Sequence, residues 1–281
     1  MSATTTTTLP ASTGLSFPRL VRSEWIKLRS IRSTVWCYAI LVVLTIAMAV
    51  LIGAFLNQDG GTMPTEAANA TAVSVNTAGV SITALVVGVL GVLIITGEYG
   101  TGQVRSTFTA DPGRVGVILA KAFVLALTTF VVSAVSTWIG VFVSAPLQAA
   151  NGIRPDLGDP AVFLPILGSS VYVTLLALLA YGIGLLVRSS AGGIAITLGI
   201  LLVLPVILSI FAGLTGAQWI SDVGRFLPSD AGGQLFTYAS PAADSGATGL
   251  VLNGWGGFGV LAAEVVAVGA AAVAVARARD V

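Results

Sequence analysis

Side chains able to do covalent or acid–base chemistry are scarce in this 281-residue chain. There is no histidine, one cysteine (Cys37), thirteen Lys and Arg, and twelve Asp and Glu. Histidine metal sites, Ser-His-Asp and Cys-His nucleophiles and internal disulfides are therefore out of reach. A phosphate-cradling loop of the form Gly-x-x-x-x-Gly-Lys-Ser/Thr is missing too, and neither Lys27 nor Lys121 follows a glycine. One carboxylate stands out. Glu264 sits in the interior of an apolar run, where a charge is costly enough to mark function or a buried partner. It could line a wet exit cavity, meet a cationic group of a substrate, or lie protonated in a helix contact.

The elements that must position these few groups are membrane spans. Only 9% of residues are charged, 56% are hydrophobic and the mean hydropathy is +0.97, whereas soluble domains carry ~25% charge. Six apolar runs are long enough to cross a bilayer, approximately 35–56, 80–96, 122–145, 161–187, 191–213 and 256–276. Each should be a helix, because a backbone in lipid has to satisfy its own hydrogen bonds. The expected fold class is all-α, a six-span polytopic membrane protein.

Basic residues set the orientation. With the N-terminus inside, Arg19, Arg22, Lys27, Arg29, Arg32, Arg105, Arg114, Lys121, Arg188, Arg277 and Arg279 are cytoplasmic, and only Arg154 and Arg225 fall outside. Both termini are thus expected in the cytoplasm, at a cell membrane. Trp36, Tyr38 and Tyr99 should form the inner aromatic belt, with Trp219 and Trp255 in the outer one. The first run is too long, and starts too late, for a cleavable signal peptide. Residues 1–15, rich in Thr, read as a disordered tail.

Residues 16–32 form an amphipathic helix on the helical wheel. Phe17, Leu20, Val21, Trp25, Leu28 and Ile31 share one face, and Arg19, Arg22, Lys27 and Arg29 the other, with Ile26 as an exception. Such a helix lies in the membrane interface and is drawn to anionic lipid. A plain basic flank would explain the charges but not their segregation. Glu24 is anomalous within the apolar arc; its partner is Lys27, Arg22 or a cation from elsewhere.

The permease domain then spans 33–281. Its connection at 97–114 is Gly-rich, broken by Asp111-Pro112-Gly113, with room for a short helix near 102–109. Arg114 opens the third helix, and Lys121 is within snorkelling reach of the interface. The external segment 214–255 holds aromatics that favour short interfacial or re-entrant helices. Pro205 should kink the fifth span, Pro165 should sit in the first turn of the fourth, and Gly88, Gly91, Gly140 and Ser144 suit close helix packing. Asn69-Ala70-Thr71 matches a glycosylation sequon, which carries no meaning in a bacterial host.

Ser23-Glu24-Trp25, Lys27-Leu28-Arg29-Ser30 and Arg32-Ser33-Thr34, followed by Gly97-Glu98, Gly102, Arg105, Thr107, Pro112, Arg114 and Lys121, resemble type-2 ATP-binding-cassette exporter permeases of actinobacteria. Leu227-Pro228-Ser229-Asp230 and the closing Arg277, Arg279 and Asp280 are similar to that family's last segments. The resemblance implies that 16–32 is a connecting helix, with Arg22, Glu24, Trp25, Lys27 and Arg29 at the interface. It also implies that Glu98, Gly102, Arg105, Thr107, Phe108, Pro112 and Arg114 couple the chain to a cytosolic ATPase. Two such ATPase subunits and a second permease copy, identical or homologous, would complete the assembly. ATP and Mg would sit on the ATPase, with no cofactor in this chain and no nucleic acid; the cargo would be a hydrophobic or amphipathic compound, as in drug efflux. Glu264 departs from the aromatic or apolar residue usual there. The alternative is a stand-alone secondary transporter or channel, which wants internal repeats or several ionisable residues across the membrane; only Glu264 qualifies.

Overall fold

A computed structural model describes residues 16–56, 63–103, 115–239 and 251–278. Among them the chain is helical, with six segments long and apolar enough to cross a membrane. Helix α1 (Phe17–Ser30) precedes α2 (Arg32–Phe55), the first span, with the bend between them at Ile31. A helix that the sequence reading did not recognise, α3 (Thr65–Thr77), leads into α4 (Val80–Thr101), so the second spanning segment runs over 37 residues. The third and fourth spans are α5 (Val115–Ala150) and α6 (Pro160–Val187).

The fifth span is interrupted. It begins as α7 (Ser190–Leu198), widens into a π turn at Gly199–Val203, and resumes as α8 (Leu204–Thr215). Pro205 supplies the cause. It has no N–H and its ring crowds the carbonyl four residues back, so the ladder slips and the Leu204 N–H reaches Gly199 O instead. Short helices α9 (Gln218–Gly224) and α10 (Pro228–Gly233), with a 3-10 turn at Gln234–Phe236, precede the last span, α11 (Gly254–Ala278).

Helix α6 is the centre of the bundle, packed by α4, α5 and α11, while the fifth span has only Gly193 and Thr197 buried. Missing side chains permit the closest approach. A Cβ on Gly91 would lie 2.3 Å from Ala177 O, and one on Gly182 would lie 2.9 Å from Val268 Cγ1. Gly140 lies against Ala49 and Gly88 against Thr197. Hydroxyls and amides tie the spans across these seams. Tyr38 Oη and Thr129 Oγ1 are 2.9 Å apart, and Tyr181 Oη donates to Ile118 O. Ser144 Oγ donates to Asn76 Oδ1 and accepts from Gln148 Nε2.

Several expectations need correcting. Tyr38 is no belt residue but a buried one, held by its bond to Thr129. Pro165 lies inside α6, past the first turn, because Asp159 caps the helix and Pro160 opens it. Asn69 is no surface sequon: it is 3% exposed, donating to Asp159 and accepting from the Asp156 N–H. It pins α3 to the start of α6. Lys121 is buried among carboxylates rather than extended toward the interface.

Candidate functional site

Four charged side chains from three helices meet at the end of the bundle where the basic residues gather. Glu24 and Lys27 come from α1, Glu98 from the last turn of α4 and Lys121 from the second turn of α5. The Lys27 Nζ donates to Glu24 Oε1 at 2.7 Å and to Glu98 Oε1 at 3.2 Å. The Lys121 Nζ donates to Glu98 Oε1 at 2.7 Å and to Glu24 Oε2. Each ammonium touches both carboxylates and each carboxylate both ammoniums, so the ring is neutral.

Burial makes this arrangement consequential. Glu24, Glu98 and Lys121 are 4%, 5% and 6% exposed. Single charges so placed would be strongly disfavoured, whereas two of each sign with direct hydrogen bonds compensate one another. A small cavity beside them, bounded also by Leu28, Ile31, Ile94 and Val124, has room for roughly one water molecule. Burial of Lys27 lowers its pKa, but the hydrogen bond to Glu24 and the charges of Glu98 and Glu24 outweigh that, leaving it above its ordinary 10.5. Its ammonium is firmly charged at neutral pH.

Local sequence explains how the ring is positioned. Glu24 falls on the line of α1 that includes Leu20, Val21 and Leu28, the face turned toward the bundle. Lys27 lies only about 60° round the helix from Glu24, so it reaches inward although the wheel assigns it to the polar face. Lys27 therefore belongs with the packed side of α1 and not with its free polar face. Arg22 and Arg29 remain exposed, and Trp25 is 41% exposed. Gly102 ends α4 in the left-handed region, at φ 73°, with its N–H bonded to Tyr99 O, leaving Glu98 one turn inside the helix end. Glu98, read from sequence as the first residue of a docking loop, is thus a buried interhelical partner. Arg105, Thr107, Phe108, Pro112 and Arg114 lie outside the described residues.

Sequence reasoning missed Lys121 as a member of the site. The available signal was charge balance: Glu24 within an apolar arc and Lys121 within an apolar helix are complementary anomalies. Two further pairs of side chains meet near this end. Arg188 lies over the Tyr99 ring, 5.3 Å from its centroid, and Ser190 Oγ donates to Thr96 Oγ1.

Glu264 is remote from the ring, ten residues into α11. Its Oε2 is shut off from solvent and has no hydrogen-bond partner among the described residues. No group of three or more His, Cys, Asp or Glu among those residues is placed to hold a metal ion.

The ring ties α1 to helices on both sides of the 104–114 connection. No curated protein matches the chain. The family model described as ABC-2 family transporter protein matches residues 20–204, from α1 through all but the second half of the fifth span. A multi-pass cell-membrane protein with six apolar helices and that match over most of its length belongs to the ABC-2 transporter family, as a permease.

Proposed function

We propose that this chain is the permease subunit of an ATP-driven exporter. Two permease copies, identical or homologous, surround the path, and two cytosolic ATPase subunits drive it, holding the ATP and Mg. Both termini face the cytoplasm, α1 lies along the inner leaflet, and a hydrophobic or amphipathic compound leaves the cell by alternating access. Family membership supports the partnership with an ATPase, because permeases of this kind draw their power stroke from a separate subunit.

The observation that carries the coupling scheme is the ring of Glu24, Lys27, Glu98 and Lys121. It fastens the interfacial helix to α4 and α5, the two helices that flank the segment with Arg105, Thr107, Phe108, Pro112 and Arg114. A push on that segment from an ATPase therefore moves three helices together. Glu98 and Gly102 serve at the root of the segment, one through its ion pairs and one by ending the helix. Glu264, in the last span, belongs to the translocation path.

The test is reconstitution with the cognate ATPase. Arg105→Glu should abolish transport-coupled ATP hydrolysis while leaving membrane insertion intact. Unchanged coupling in that variant removes the segment from the mechanism, and transport by the purified chain with no nucleotide hydrolysed removes the exporter reading.

A further inference from the structure

We infer that Glu264 is the charge partner of a lipophilic cation, so that the cargo of this permease is a positively charged amphiphile. The inference names a substrate class for the exporter reading and rests on it. Glu264 is about 15 Å from one end of α11 and about 21 Å from the other, the depth of the bilayer centre. It stands about 60° round the helix from Leu261, at the edge of the face that packs on α6. The residue is part-exposed, but Oε2 is covered and finds no partner among the described residues. A carboxylate this deep calls for a cation or a proton.

Among the described residues, no cation stands at that depth on an element packed against α11. The elements packed against α11 are α6, α10 and the 3-10 turn, and their titratable groups are Tyr172, Tyr181 and Asp230, with no Lys or Arg among them. On α11 itself the first base is Arg277, thirteen residues and about 20 Å away. Lys121 is committed to Glu24 and Glu98. A cationic cargo supplies that partner in competition with a proton, and the apolar neighbours of Glu264 on α11, Ala263, Val265 and Val266, suit a cation whose charge is spread over a greasy body.

The long-range field acts in the same sense. At the end opposite the basic residues, Glu66, Asp156, Asp159, Asp222 and Asp230 outnumber Arg154 and Arg225. A cation leaving Glu264 toward that end moves down the electrostatic potential.

The experiment uses the full chain in phosphatidylcholine nanodiscs and two probes of one shape and opposite charge, tetraphenylphosphonium and tetraphenylborate. Equilibrium binding above empty discs should be saturable for the cation and undetectable for the anion. Glu264→Gln should weaken cation binding roughly tenfold or more, the scale of one desolvated charge partner lost, and Glu264→Asp should retain it within a few-fold. Equal cation binding by wild type and Glu264→Gln, or no saturable binding by wild type, overturns the inference. Should the Gln variant fail to insert, carbodiimide labelling of Glu264 in the wild-type chain decides. Protection by the phosphonium alone supports the site, and protection by neither or both probes refutes it. Binding is read without the ATPase, so charge-selective binding with no ATP-driven transport would sink the exporter reading and spare the site.

Discussion

Glu98 Oε1 accepts hydrogen bonds from two ammonium groups, Lys121 Nζ at 2.7 Å and Lys27 Nζ at 3.2 Å, on two different helices. A single oxygen thus joins α1 and α5 to the last turn of α4. The lysines differ in setting. Lys121 has 7% of its side chain exposed and Lys27 32%, so the first is the inner pin of the junction and the second its outer strap.

Replacing Lys121 by Met should therefore be severe. It keeps the length of the side chain but leaves Glu24 and Glu98 facing one another with only Lys27 between them. Breaking one partner out of a buried ionic group costs about 3–5 kcal/mol, and thermal unfolding in detergent should show a loss of that order. Lys121→Arg keeps the positive charge between Glu24 and Glu98 and should lose less than half as much. Equal midpoints for Lys121→Met and wild type would show that the ring contributes nothing.

The attachment of α1 should depend on pH in one direction. The folded pKa of Lys27 lies above its ordinary 10.5, so the stabilisation from its charge is fully present below 10.5. It fades as pH rises through the higher folded value. A spin label at Ile26, 60% exposed on α1, should keep constant mobility from neutral pH to about 10 and gain mobility only above 10.5. Loosening that sets in near neutral pH would contradict the charged ring.

How much of this was legible in the sequence follows from which forces are local. The six spans stood out because an apolar run of bilayer length is a property of the run itself. Pro205 announced its own disturbance, since the missing donor acts on its own turn. Helix α3 was hidden because its Ala, Thr and Asn residues make no long apolar signal. Its place is fixed by tertiary contacts, Asn69 to Asp159 and Asn76 to Ser144. The ring was half legible. Glu24 announced itself as misplaced, but choosing Lys121, 97 residues away, required knowing which helices touch. Lys27 turns partly inward because the wheel gives direction around α1 but not which direction is covered.

The α4–α6 seam gives a packing prediction. Gly91→Ala places a methyl 2.3 Å from Ala177 O and 3.0 Å from Ala180 Cβ, so a backbone has to move. Overpacking of this kind costs about 1–3 kcal/mol. Gly97→Ala, on the same helix with nothing within 4 Å of the new carbon, should be neutral or slightly stabilising because alanine is the better helix former. Similar thermal midpoints for the two variants would mean that the spans separate freely at this seam.

Arg188 separates a backbone effect from a side-chain effect at one position. It ends α6 at φ 57°, the one non-glycine residue with positive φ among those described, and its guanidinium lies over the Tyr99 ring. The left-handed backbone costs a residue with a Cβ about 1–2 kcal/mol, while the cation over the ring contributes about 0.5–2 kcal/mol. Arg188→Gly loses the second and relieves the first, so the two changes nearly cancel and stability should stay close to wild type. Arg188→Ala loses the ring contact and keeps the backbone penalty. Alanine should therefore melt earlier than glycine here, the reverse of the usual order in a helix interior. Tyr99→Leu should reproduce the side-chain part alone, and a midpoint for Arg188→Ala at or above that of Arg188→Gly would show that the turn between the fourth and fifth spans is not held in this conformation.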